Sequence, residues 1–277
     1  MTPGTQARTP APTRAALAGL GVGAAVSSLL GTGIFAGFTA VALAAGVMVA
    51  LGSLATPGLF LSSVTAGLAI LFPLAAAVEG EAGILWASGV SFVVLSAGYV
   101  FRGLRRHSLQ TLSESLMVVL HLGLLGSYLV LVATLGNRLL VALVLMVAAF
   151  EAAYGILAAR RDLSRDPQAR RAGPPPQKPA AALFPPLAVA GGVVACQVAA
   201  LLTRFVLPSP LGVVSLLMLG AAVAAAAALG HAGAALVAED LDWEPGRKGL
   251  DPAVFGSVNA LLLAAGAFYY GFRLYLA

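Results

Sequence analysis

From Ala15 to Ala55 the chain carries no charged side chain, and uncharged runs of similar character recur along the rest of it. A bilayer core about 30 Å thick is crossed by a helix of about 20 apolar residues, so this first run is long enough for two passes. The break between them falls near Gly31-Thr32-Gly33. Further spans are expected at 57–78, 82–101, 115–135, 139–159, 181–206, 211–237 and 253–276. The pattern predicts an all-α, polytopic integral membrane protein of the cell membrane with about nine transmembrane helices. Composition agrees: of 277 residues 60% are hydrophobic and 10% charged, with a mean hydropathy of +0.95. Soluble globular domains are far more polar than this.

Basic residues set the direction of insertion, because Lys and Arg collect on the cytoplasmic side. In a nine-span chain one side receives Arg8 and Arg14, the trio Arg102, Arg105 and Arg106, and the group Arg160, Arg161, Arg165, Arg170, Arg171 and Lys178. Arg247 and Lys248 fall there too. That side, and with it the N-terminus, is expected to be cytoplasmic. Only Arg138, Arg204 and Arg273 fall opposite, with the acidic turn Glu79-Gly80-Glu81.

Residues 1–14, rich in Pro, Thr and Ala without apolar periodicity, read as a disordered cytoplasmic tail. The apolar stretch after them runs past the length of a signal peptide's core. Residues 15–110 form a first set of transmembrane helices and 111–277 a second, with cytoplasmic loops at 160–180 and 238–252.

Sixteen Lys and Arg against eleven Asp and Glu give a net charge of +5. The cations sit between apolar runs with few polar side chains to read a base edge. Anionic lipid headgroups are therefore the expected counter-charge, and no nucleic acid is expected. The single cysteine, Cys196, allows no intramolecular disulfide. The loop RRDLSRDPQARRAGPPPQKP, from Arg160 to Pro179, combines basic charge with three consecutive prolines and should be extended and solvated. It reads either as a lipid-facing surface loop or as a phosphate-binding one. Leu104, Leu109, Leu112 and Leu116 fall loosely on one side of a helix, which suits a short interfacial segment.

Glu151 is the carboxylate clearly inside a span, nine residues before Arg160 and hence about 13 Å deep. A charge at that depth is costly to leave unpaired. It is either a ligand for an ion or a headgroup, or a hydrogen-bonded helix contact. His121, Gln197, His231 and Asn259 are the other intramembrane polar groups, each suited to an interhelical hydrogen bond. The three histidines show no HxxxH or HExxH spacing, so no zinc site is indicated. Gly19-x-x-x-Gly23 and Gly33-x-x-x-Gly37 are close-packing motifs. Glu239, Asp240, Asp242, Glu244 and Asp251 gather in one short polar stretch.

Taken as a string, the second half says more. Ala153, Tyr154 and Gly155 are followed by the basic loop, then by Gly230 and Gly233 on a later helix. Leu261, Leu262, Leu263, Ala264, Ala265, Phe268, Tyr269 and Tyr270 follow on the last one. In order and spacing these blocks, over about the last 160 residues, resemble the membrane-embedded phosphatidate cytidylyltransferases, the CDP-diacylglycerol synthases. The resemblance implies metal-assisted nucleotidyl transfer, in which carboxylates hold Mg2+ against the CTP phosphates while phosphatidic acid attacks.

The family's acids are what this chain lacks. Ala234 stands where the family has Asp after Gly-x-x-Gly, and Val237 where a second acid follows. Leu241 and Asp242 replace a Lys-Arg, and the following loop is reduced to Gly246, Arg247, Lys248 and Gly249. Gly256 and Ser257 replace an Asp-Arg, and Asn259 an Asp. On the earlier helix the family Asp aligns with Phe150, with Glu151 one place along.

The expected protein is therefore a divergent synthase-like membrane protein, lipid-binding or accessory and without nucleotidyl transfer. Its partners would be membrane phospholipid and either a second copy of itself or an intact synthase. The enzymatic alternative is a cytidylyltransferase with relocated ligands: Glu151, Glu239, Asp240 and Asp242 on Mg2+, and Arg160, Arg161, Lys178, Arg247 and Lys248 on phosphate. A small-solute transporter subunit is a third reading, without a visible inverted repeat or a second buried charge to pair with Glu151.

Overall fold

The structure, a computed structural model, describes residues 31–53, 59–101, 108–163, 185–205, 211–240 and 252–276. Among them there is no strand. The helices are α1 (Thr32–Ser53), α2 (Leu59–Glu79), α3 (Glu81–Phe101), α4 (Ser108–Val118), a π-helical segment (Val119–Leu124) and α5 (Leu125–Leu135). They continue with α6 (Asn137–Leu163), α7 (Pro186–Leu202) ending in a 3-10 turn (Thr203–Phe205), α8 (Val213–Asp240) and α9 (Pro252–Leu276).

Among the described residues, six stretches are long and apolar enough to cross a membrane: Glu81–Phe101, Leu112–Leu135, Asn137–Arg160, Pro186–Phe205, Val213–Val237 and Phe255–Leu274. They fall within a few residues of the last six expected spans. The second begins before Ser115 because α4, the π-helical segment and α5 run on as one rod, absorbing much of the segment read as interfacial. Apolar helices of 22 and 21 residues, α1 and α2, lie where the second and third spans are expected. The tail 1–14, the first span and most of the loops 160–180 and 238–252 lie outside the described residues.

The surface chemistry is that of a protein in hydrocarbon. On α3, Trp86 is 71% exposed and Phe101 89%. Outward aromatics in such a row would be an aggregation hazard in water and cost nothing against lipid tails. Several hydroxyls inside the helices bond back to their own backbone, which satisfies them in a solvent without donors. Thr39 Oγ1 donates to the Phe35 carbonyl at 2.8 Å and Ser127 Oγ to the Gly123 carbonyl at 2.8 Å.

The chain divides into two units, Met1–Asn137 with Pro245–Asp251, and Arg138–Glu244 with Pro252–Ala277. In the first, α2 packs on α1, on α3 and on the rod. The turn between α2 and α3 is a single left-handed residue, Gly80 at φ 64°, which a glycine adopts without strain. Gly83 then lies against the Ala75 carbonyl with no room for a side chain. Phe72, fully buried, lies against Gly123 in the π-helical segment, 2.8 Å from where a Cβ would stand. Tyr99 and Ser115 share a hydrogen bond of 3.2 Å. The Gly33 and Gly37 faces of α1 meet nothing within 4 Å, so this motif makes no close contact among the described residues.

In the second unit α8 packs most extensively on α9 and next on α7. The contacts run in antiparallel register. Gly271 of α9 meets Leu219 of α8, and Gly230 further along α8 meets the Ala260 backbone. Cys196 Sγ on α7 donates to the Gly220 carbonyl on α8 at 3.4 Å. Phe150 and Leu157, two turns apart on α6, press on the Gly192 and Gly191 pair of α7.

Candidate functional site

Three helices of the second unit bring polar groups to one point. Glu151 projects from α6, His231 from α8 and Ser257 from the first turns of α9. His231 Nε2 lies 2.7 Å from Glu151 Oε1. Ser257 Oγ donates to Glu151 Oε2 at 2.7 Å. Both carboxylate oxygens are thus engaged by protein groups from two other helices. The His231 side chain is 11% exposed and that of Glu151 23%, so the imidazole is enclosed while the carboxylate keeps a path outward.

Aromatic packing fixes the imidazole. The Tyr154 ring stacks on it with centroids 4.4 Å apart and planes 24° apart, and Phe150 stacks beyond at 6.2 Å. Tyr154 follows Glu151 by three residues, which places both on one face of α6. Opposite, His231 packs over α9 where that helix has no side chain: a Cβ on Gly256 would stand 2.9 Å from Nδ1. The approach of α8 to α9 is closer still one residue earlier, where a Cβ on Gly230 would stand 2.5 Å from Ala260 Cα. Asn259 completes the contact, its Nδ2 donating to the Gly230 carbonyl at 3.3 Å.

The sequence-selected residues divide accordingly. Glu151, His231 and Asn259 meet in this region. The partner of Glu151 is His231, one of the intramembrane polar groups singled out in the sequence. Gln197 lies on α7 beside Gly220, with its Oε1 buried and without a hydrogen-bond partner, so the expected interhelical bond is not made by that atom. His121 belongs to the π-helical segment of the other unit and takes no part in this cluster. Arg160 is exposed on α6, nine residues beyond Glu151. Arg161 continues α6, while Glu239 and Asp240 close α8. Glu239 is eight residues past His231, about 12 Å along the helix axis. Lys178, Asp242, Arg247 and Lys248 lie outside the described residues.

Sequence reasoning missed Ser257 as a partner of Glu151, having met it only as a non-basic substitute at an aligned position. It also missed the role of Tyr154 as the surface on which His231 rests.

Ala234 and Gly256 are neighbours: a Cβ on Gly256 would stand 3.7 Å from the Ala234 Cβ. Carboxylates at these two positions could share one cation, and neither position has one. A hard cation such as Mg2+ wants several oxygen ligands in near-octahedral array. This site offers one carboxylate, already hydrogen-bonded through both oxygens, and among the described residues no group of three or more His, Cys, Asp and Glu could hold a metal. The described residues do not fit the metal that the family resemblance implies. In comparisons with known proteins, no family model matches the chain and no curated protein matches it significantly.

Proposed function

We propose that this chain is a divergent member of the phosphatidate cytidylyltransferase-like membrane proteins, one that binds phospholipid without nucleotidyl transfer. It sits in the cell membrane as a nine-span protein with its N-terminus in the cytoplasm. The observation that carries this reading is the adjacency of Ala234 and Gly256. The resemblance assigns acids to both positions, and they lie side by side although 22 residues apart in sequence. The antiparallel packing of α8 on α9 sets these two positions face to face, as ligands of one shared cation would have to be. Their lack of carboxylates supports the loss of chemistry, because the family mechanism needs anionic ligands to hold the cations that neutralise a triphosphate.

A relocated site built from Glu151 with Glu239 and Asp240 is disfavoured by length. Glu239 lies about 12 Å along the α8 axis from His231, the residue that Glu151 contacts, several times a metal–oxygen bond of about 2.1 Å.

The test is an assay of purified, reconstituted protein with CTP, phosphatidic acid and Mg2+, beside an intact synthase as positive control. We expect no CDP-diacylglycerol, with phospholipid co-purifying. CTP-dependent product that disappears when Glu239, Asp240 and Asp242 are all changed to Ala would overturn the reading in favour of the relocated-ligand enzyme.

A further inference from the structure

Glu151 carries the polar cluster's one flexible arm. The two groups it touches are positioned by other means: the His231 ring by Tyr154, Phe150 and the bare Gly256 backbone, and Ser257 by the start of α9. Their hydrogen-bonding atoms converge on the two oxygens of one carboxylate, each at 2.7 Å. An O–C–O fork is close in span to two free oxygens of a phosphate. Without the carboxylate, two donors would be left unsatisfied in a largely enclosed site, which is costly enough to recruit an anion. Glu151 is itself partly exposed, and the exposed Arg160 stands nine residues further along α6, about 13 Å toward the helix end.

We infer that His231 and Ser257 form a phosphate-binding pair that Glu151 occupies as an internal anion, and that Glu151 swings out to admit a phosphate-bearing headgroup. The inference rests on the phospholipid-binding reading above and adds a self-occupied site to it. His231 serves with Nε2–H as donor, in the same tautomer for the carboxylate and for the phosphate, so exchange needs no proton to move. Two carboxylate bonds break and two phosphate bonds form. Among the described residues, the titratable groups facing the pair are Glu151 and Tyr154 of α6; α9 contributes Asn259, which does not titrate. Glu151 is therefore the group whose charge opposes an incoming anion.

The test compares wild type with Glu151→Gln and Glu151→Ala in detergent, using phosphatidic acid, phosphatidylglycerol, phosphatidylcholine and inorganic phosphate as probes. Glu151→Gln keeps the shape and can still accept from Ser257, so it guards against simple misfolding; Glu151→Ala removes the arm altogether. Removing a like charge a few ångströms from the bound phosphate should tighten binding of an anionic probe by at least about tenfold in both variants. Adding Ser257→Ala to Glu151→Gln should abolish the gain.

A gain for the anionic lipids that inorganic phosphate cannot compete away identifies a lipid headgroup. A gain for inorganic phosphate alone identifies the free ion at the same donor pair. Unchanged or weaker binding of every anionic probe in both Glu151 variants, with elution and thermal stability intact, refutes the inference. If no lipid is retained by any form, the phospholipid-binding reading fails, and the inorganic phosphate arm still decides whether Glu151 masks an anion site.

Discussion

Replacing Gly230 with alanine should destabilise the second unit, while the same change at Gly233, three residues along α8, should not. A Cβ at Gly230 would stand 2.5 Å from both the Ala260 Cα and its nitrogen and 2.7 Å from the Asn259 carbonyl carbon. These are backbone atoms of α9, so no side chain can rotate away and the helices must separate. A Cβ at Gly233 would meet only Asn259 Nδ2 at 3.8 Å, an ordinary contact. Overpacking costs about 1–3 kcal/mol, and a backbone clash belongs at the upper end of that range. Alanine in place of glycine returns about 1 kcal/mol of helix propensity at either position. Gly230→Ala should therefore lose about 2 kcal/mol and Gly233→Ala gain about 1 kcal/mol, a contrast of about 3 kcal/mol. At about 2–4 °C per kcal/mol, the two variants should differ by about 6–12 °C in thermal midpoint in the same detergent. Equal midpoints would show that α8 and α9 do not meet at Gly230, and with that the packing that brings His231 over Gly256 would lose its support.

Three further outcomes are expected. Cysteines introduced for Glu79 and Asn137 should react with an impermeant thiol reagent added outside intact cells, and one introduced for Arg170 should not; outside labelling of position 170 would reject the nine-span orientation. Cys196, wholly buried and hydrogen-bonded to the Gly220 carbonyl, should resist maleimide in the folded protein and react only as it unfolds, which a temperature series of labelling would read out. Gly256→Ala places a Cβ 2.9 Å from His231 Nδ1 and should cost about 1–2 kcal/mol in the native protein but little in a His231→Ala background. Additive losses in that double-mutant cycle would contradict the contact.

The last six spans were legible because a bilayer leaves the backbone few alternatives: an uncharged run of the right length becomes a helix, and its ends follow from length and charge. Glu151 stood out for the same reason, as an acid where acids are expensive. Its partners did not stand out. His231 lies 80 positions away and Ser257 106, and such contacts depend on how each helix is rotated about its axis. In a soluble bundle an apolar stripe would report that rotation, but α6 and α8 are apolar around their whole circumference and carry no stripe.

What replaces the stripe in these helices is the small residue, since helices in lipid associate by close packing. Gly191 and Gly192 receive α6, Gly220 receives α7, and Gly230 and Gly256 mark the seam of α8 and α9. Glycine alone is an ambiguous marker, because Gly33, Gly37 and Gly155 face open space. It becomes specific when paired with something to receive. Phe150, Leu157 and His231 are large side chains that each press on a glycine of a neighbouring helix, and two of them, Phe150 and His231, stack in the Glu151 cluster. Gly230 and Gly256 thus serve the site directly: they let α8 and α9 approach closely enough for an imidazole from one and a hydroxyl from the other to reach one carboxylate on α6.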